Sequence, residues 1–213
     1  MTKRIFALLL ALVLVVGLLP MGTLAAETPS AWDGTTVTEP KKVDGVYQIG
    51  TAEELAWFGQ QSRRYGAANR TMQAKLTADI DLNNQNWAAY SVGDSGSYAY
   101  AGTFDGDGHT VKGYRIYKNV TKNSSAYLGF FGRTSKATIR NLILEGSVEI
   151  DMNGATARAY SGYVAGLVAE AKGTTIQNVV VDVDISLTNN DSKYGAFTTG
   201  GVAARVSFVS ENG

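Results

Sequence analysis

The chain has no cysteine. This excludes a disulfide framework, a thiolate metal site and the acylated cysteine of a lipoprotein, so stability must come from the packed core. It has one histidine, His109, which rules out the paired-histidine helix of a zinc peptidase. A Ser-His-Asp arrangement cannot be argued from this residue either, because it sits in the turn Gly106-Asp107-Gly108-His109. Charge of either sign is not in excess: 19 basic residues stand against 19 acidic ones, with no basic stripe, which argues against a nucleic-acid binder. Only three prolines accompany 24 glycines, and Thr, Asn, Val and Ile are abundant. That balance predicts many short strands joined by tight turns, with little helix.

Long hydrophobic runs are equally scarce. The one apolar run, Ile5 to Leu19, follows Lys3 and Arg4 and precedes Gly22-Thr23-Leu24-Ala25-Ala26. It is too short for a membrane span and has the three-part layout of a secretory signal peptide over residues 1–26, cleaved after Ala25 or Ala26. The expectation is an exported protein, secreted or held at the cell surface, with no membrane association after cleavage. LPMGT at residues 19–23 has the order of a wall-sorting signal but lies at the wrong end of the chain. Residues 27–43 contain Pro29 and Pro40 and no periodicity, and read as a flexible leader to a domain over residues 44–213.

Within that domain a repeat is visible. The segment starting at Leu128 aligns with the one starting at Ala165 at an offset of 37, pairing Gly129 with Gly166, Ile139 with Ile176, Asn141 with Asn178, Leu142 with Val179, Leu144 with Val181 and Val148 with Ile185. A further start stands at Gly201. A shorter unit, GTFDGDGHTVKGYRIY, aligns Val111, Tyr114 and Ile116 with Ile139, Leu142 and Leu144 at an offset of 28. Fixed strand phase with variable spacing is the behaviour of a solenoid. In VVVDVDISL the residues Val179, Val181, Val183, Ile185 and Leu187 share one face, and Asp182, Asp184 and Ser186 the other.

These patterns predict an all-β fold, a right-handed parallel β-helix with a short N-terminal capping helix. The helix is expected to start at the capping box Thr51/Glu54 and to run about 13 residues to a C-terminal Gly66, covering a first strand with Leu76, Ala78, Ile80 and Leu82 inward. Asn141 over Asn178 predicts an inward amide ladder at a bend, and Gly129, Gly132, Gly166 and Gly201 are read as structural glycines. The last unit breaks off after Val202, Val206, Phe208 and Val209, and the natural chain is expected to continue into further repeats or domains, or to associate end to end.

Gly129-Phe130-Phe131-Gly132 followed by ATIRNL, and Gly166-Leu167-Val168-Ala169 followed by TTIQNV, resemble the GLUG-motif repeats of large bacterial surface proteins. DGVYQIGTAEELAWF and GTFDGDGHTVKG are similar to the region that precedes such repeats. The resemblance covers roughly residues 44 to 206, although Ala169 and Ala204 replace the second glycine of the motif. It implies a β-helical architecture and carries little information on activity, since such proteins include adhesins and non-catalytic regions of immunoglobulin A metallopeptidases.

Candidate chemistry is sparse. The carboxylate pairs Asp79/Asp81, Asp105/Asp107 and Asp182/Asp184 have the two-residue spacing of one strand face or one turn, which suits calcium, an acid-base pair, or a plain solvated surface. Asp105 and Asp107 are the candidate calcium ligands; no other cofactor is expected. Trp87, Tyr90, Tyr98 and Tyr100 form a candidate sugar-stacking surface, with core packing as the alternative. The reading is a non-enzymatic structural or adhesive module for a host or environmental glycan or protein ligand. A carbohydrate-active β-helix enzyme is the second reading, and the head of a larger surface protein such as a metallopeptidase the third.

Overall fold

Asp44 and Gly45, both at positive φ (48° and 84°), form the tight turn of an antiparallel hairpin between β1 (Lys41–Val43) and β2 (Val46–Ile49). The chain is described from a computed structural model at residues 31–93, 98–119, 126–152, 161–188 and 196–208. The expected signal peptide, residues 1–26, and the first residues of the expected leader lie outside them, as does Val209. Among the described residues no helix is long and apolar enough to cross a membrane.

Helix α1 (Ala52–Ser62) begins at the capping box the sequence predicts. Thr51 Oγ1 accepts from the Glu54 N–H at 3.3 Å, and the Glu54 carboxylate accepts from the Gly50 and Thr51 N–H groups at 2.7 and 3.2 Å. Its inner face, Leu55, Ala56, Phe58 and Ser62, is fully buried. Gly59 admits the neighbouring chain, since a Cβ there would lie 2.0 Å from the Tyr90 carbonyl oxygen. The helix ends two residues sooner than predicted, and Gly66 precedes a second short helix, α2 (Ala67–Arg70), rather than closing the first.

Strands follow in quick succession: β3 (Gln73–Leu76), β4 (Ile80–Asp81), β5 (Thr103–Asp105), β6 (Thr110–Asn119), β7 (Ala126–Leu128), β8 (Phe131–Ser135), β9 (Thr138–Asp151), β10 (Ser161–Ala165), β11 (Val168–Lys172), β12 (Thr175–Thr188), β13 (Ala196–Gly200) and β14 (Ala203–Ser207). The fold is therefore β-rich. Among the described residues every strand pairing except that of the first hairpin is parallel. One large sheet runs β1-β2-β3-β5-β9-β6-β4 with β12 on the other edge of β9, and two three-stranded sheets run β7-β10-β13 and β8-β11-β14.

The β9/β12 register places Ile176 opposite Ile139, Val179 opposite Leu142, Val181 opposite Leu144 and Ile185 opposite Val148, which is the alignment read from the repeat. The earlier unit needs correction. Phe104 of β5, not Val111, lies opposite Ile139, while Val111 lies opposite Leu144 and Ile116 opposite Val148. A short strand thus covers the first half of β9 and a bulge between Val111 and Tyr114, with Gly113 at φ 62°, resets the second half. Likewise the predicted first strand is two, with Leu76, Ile80 and Leu82 buried and Ala78 half-buried between them.

The inward side chains of β9 are sealed, with Ile139, Leu142, Leu144 and Val148 at 0% exposure, because β9 has neighbours on both edges. Their counterparts Ile176, Val179, Val181 and Ile185 on β12 are only half-buried. Between the sheets sits an aromatic cluster: Phe130 stacks on Trp87 (centroids 5.4 Å, 6° between planes) and packs edge-on against Phe131, Phe104 and Tyr114. Each such pair adds roughly 0.5 to 1.5 kcal/mol beyond burial.

The expectation of a loose leader up to residue 43 is overturned for residues 31–43. Trp32 is 2% exposed, packs edge-on against Trp87 and Tyr90, and donates its indole N–H to the Thr36 carbonyl at 2.8 Å. Asn83 and Tyr90 tie the same segment down through the carbonyls of Trp32 and Gly34. A single tryptophan among polar residues has no periodicity to reveal it; only the pocket it fills does.

Tyr114 is fully buried, and its hydroxyl has no partner among the described residues. An unpaired buried hydroxyl costs free energy that the ring packing does not need. Tyr114→Phe is expected to leave the fold intact and raise stability by about 1 kcal/mol, read as a higher urea midpoint. A lower midpoint would mean that the hydroxyl is satisfied.

Candidate functional site

Three of the four aromatic residues proposed to stack on sugars are core residues. Trp87 and Tyr100 are 0% exposed and Tyr90 is 6% exposed, each with its polar atom turned to a backbone carbonyl: Trp87 to Phe130, Tyr90 to Gly34, Tyr100 to Met72. Burial pushes the Tyr100 phenol well above its ordinary pKa. Clustering in sequence reflected packing between sheets, and these rings have no face to offer a ligand.

Tyr98 is half-buried, and the structure gives it a partner that sequence reasoning missed. Tyr65, 86% exposed, meets it with ring centroids 5.9 Å apart and planes at 84°. Tyr65 follows α1 in the stretch RRYG, read only as a helix end; an aromatic residue in that polar turn was the available signal. The turn then enters α2 through Gly66 at φ 124°, which a residue with a side chain rarely adopts.

Tyr65, Gly66, Ala67, Arg70 and Tyr98 line a depression of about 420 Å3. A second one of about 370 Å3 adjoins it through Arg70 and the consecutive residues Tyr98 and Ala99, and is lined further by Arg133, Thr134, Ser135, Glu170 and Lys172. The two depressions are neighbours that share Arg70, and together they make up the groove region. Its wall is set by strand register: β8, β11 and β14 place Arg133, Glu170 and Arg205 side by side. Glu170, largely buried, accepts from Arg133 Nε at 2.6 Å and pairs with Arg205 Nη1 at 3.2 Å. The guanidinium groups lie over the rings of Tyr127 and Tyr163, 4.8 and 5.3 Å from their centroids.

Glycoside cleavage by acid and base needs two carboxyl groups across one bond. Among the described lining residues of the groove Glu170 is the single carboxylate, and it is clamped by two guanidinium groups.

The acidic pairs are engaged elsewhere. Asp105 accepts from Arg140 Nε at 2.8 Å, Asn141 Nδ2 at 3.0 Å and the Asp107 N–H at 2.9 Å, and Asp107 pairs with Lys75 at 2.9 Å. Asp105 and Asp107 thus each have protein partners, and among the described residues no three His, Cys, Asp or Glu side chains converge on a metal position. Asp79 meets His109 at 3.1 Å and the Thr110 N–H at 2.9 Å, Asp81 pairs with Lys112, and Asp182 and Asp184 are exposed on the outer face.

The amide ladder exists and is longer than expected: Asn178 Nδ2 donates to Asn141 Oδ1 at 2.9 Å, and Asn141 donates on to Asp105. It is not inward, since Asn141 is half-buried and Asn178 exposed. Both asparagines sit at positive φ, 54° and 51°, so the bend itself selects them, asparagine being among the side chains that tolerate this backbone best. Of the structural glycines, Gly129, Gly132 and Gly166 are required by close approach, a Cβ meeting the carbonyl oxygens of Phe131, Gly93 and Gly201 at 2.7 to 2.8 Å. At Gly201 a Cβ would meet nothing within 4 Å among the described residues.

Comparison with protein-family models, with curated proteins and with solved structures yields no match to the chain.

Two outcomes are expected. Asn141→Ala should destabilise by about 1 to 3 kcal/mol through lost ladder bonds and backbone strain, whereas Asn141→Gly, which relieves the strain, should cost less. Equal denaturant midpoints for the two variants would remove positive φ from the account.

The second concerns acid. Burial alone would raise the Asp105 carboxyl, but the Asn141 amide, the Asp107 N–H and the Arg140 guanidinium outweigh it and hold its pKa below the ordinary value. Hydrogen bonds from Thr36 and Thr110 likewise lower Asp33 and Asp79. A depressed acid contributes stability that is present above its unfolded value, about 3.9, and lost as pH falls through its folded value. Stability should therefore drop below about pH 4, less steeply in Asp105→Asn than in the parent; parallel pH profiles would exclude Asp105.

Proposed function

We propose that this chain is an exported, non-catalytic cell-surface or secreted module, folded as a right-handed parallel β-helix, that binds a glycan in the groove bounded by Tyr65 and Tyr98. The winding is supported by three strands per repeat, each parallel to its counterpart 35 to 37 residues away. Export is supported by the basic, apolar and small-residue succession of residues 1–26, and a surface role by the resemblance to GLUG-motif repeats.

The observation that carries the ligand class is the exposed Tyr65 ring set perpendicular to the half-buried Tyr98 beside an open depression with charged side chains nearby. An aromatic ring with a free face packs on the C–H face of a sugar, and charged groups alongside bond its hydroxyls. Strands with parallel neighbours provide a rigid wall, which keeps the entropic cost of binding low. A polysaccharide hydrolase on the same scaffold would use a carboxylate pair, and the described part of this groove has one carboxylate, Glu170.

A glycan array probed with the secreted chain should give a defined set of bound sugars. Tyr65→Ala and Tyr98→Ala should each weaken binding about threefold to tenfold, with unchanged unfolding midpoints for Tyr65→Ala because that ring packs against so little. Binding insensitive to both substitutions would take the groove out of the reading.

A further inference from the structure

Strand β12 runs for 14 residues and has one neighbouring strand among the described residues, β9. Its inward row, with Val179, Val181, Val183 and Ile185, is half-buried, whereas the matching row of β9, which has strands on both edges, is sealed. An open strand edge is a template for another strand, and proteins blunt it by shortening it or by placing lysine or proline there. The other edges of this sheet are treated in that way: β4 is two residues long, and β1 is three residues long and carries Lys41 and Lys42. Strand β12 is long and has no lysine, arginine, proline or glycine.

The outward row of β12 carries Asp182 and Asp184, both exposed, and Asp182 lies opposite the exposed Glu145 of β9. None of the three is in an ion pair among the described residues. Elsewhere the fold alternates charge from strand to strand. Asp81 of β4 faces Lys112 of β6, Asp105 of β5 faces Arg140 of β9, and Arg133, Glu170 and Arg205 follow one another across β8, β11 and β14. Strand β6 shows what the neighbour of an acidic strand looks like: Val111, Tyr114 and Ile116 are buried, Lys112 is exposed, and Arg115 reaches Glu149 of β9. On β12 the acids have no base opposite them. A second copy of β12 laid on this edge would bring Asp182 and Asp184 of both copies together, so the two acids exclude a like strand and invite a basic one.

We propose that the outer edge of β12 takes an extended segment of a partner polypeptide in which apolar and basic side chains alternate. Main-chain bonds along the edge supply the attachment. The apolar side chains of the segment continue the row at Val181, Val183 and Ile185, and its lysine or arginine side chains pair with Asp182 and Asp184, which sets the choice of partner. No β12 residue is among the described residues that line the groove, so this surface is independent of the glycan reading.

The test titrates the full chain with synthetic peptides of about nine residues, enough to span Val179 to Leu187. One alternates valine and lysine, one alternates valine and glutamate, and one has the same valines and lysines in separate blocks. The alternating valine and lysine peptide should bind at least about fivefold tighter than the other two, with affinity falling as salt rises, and should slow hydrogen exchange at the amides of β12. Asp182→Asn combined with Asp184→Asn should weaken that binding about threefold to tenfold at an unchanged urea midpoint. Glu39→Gln, an exposed acid on the segment leading into β1, should leave it unchanged. Equal binding of the alternating and block peptides, or equal losses from Glu39→Gln and the β12 pair, would overturn the proposal by showing diffuse charge attraction. Outer-edge amides of β12 already protected in the dilute chain alone would overturn it by showing that the chain covers its own edge. Protection that rises with the chain's own concentration would give the edge to a second copy and overturn it equally, as would binding of none of the peptides.

Discussion

When β12 lies beside β9 with Thr175 opposite Thr138, every later pair down to Thr188 opposite Asp151 follows, because parallel strands hold one register along their length. A slip of one residue would turn Val181, Val183 and Ile185 outward and bring Asp182 and Asp184 into the core. The cost of burying those carboxylates is what forbids the slip. The two smaller sheets keep nearly the same spacing, so the aromatic cluster, the bends and the surface columns all inherit their positions from this one constraint.

The polar features of the surface are consequences of that spacing. Arg133, Glu170 and Arg205 come from three successive strands and form an ion ladder because register puts them in line. Asp105, Asn141 and Asn178 form a second column at the bend, where left-handed backbone selects asparagine and the amides then bond from one strand to the next. Asp105, which the sequence offered as a candidate calcium ligand, is the end of a ladder built from three segments.

The groove has a different origin. It lies where the turn leaving α1 brings Tyr65 against Tyr98, and where the ion ladder at Arg133 and Glu170 supplies charged side chains. The rigid part fixes Glu170 and its two arginines; the turn contributes the exposed aromatic. For the proposed glycan role that division keeps the ordering cost of binding low.

The lack of cysteine, the capping box at Thr51 and Glu54, and the β9/β12 register are local in the sequence or periodic along it, and all could be read from residues alone. Periodicity failed where the period is broken: β5 and β6 share one partner strand through a bulge at Gly113, so the earlier unit was aligned several residues out of place. It had nothing to say of Trp32, an isolated ring anchored from outside the repeats. The sequence determined which residues are aromatic and acidic and which faces of the strands are apolar. Only the tertiary structure decided that Trp87, Tyr90 and Tyr100 are core while Tyr65 is exposed and Tyr98 half-buried, and that Asp105 faces Arg140 and Asn141. Burial and charge pairing depend on segments more than 30 residues apart meeting in space, and no local pattern encodes that meeting.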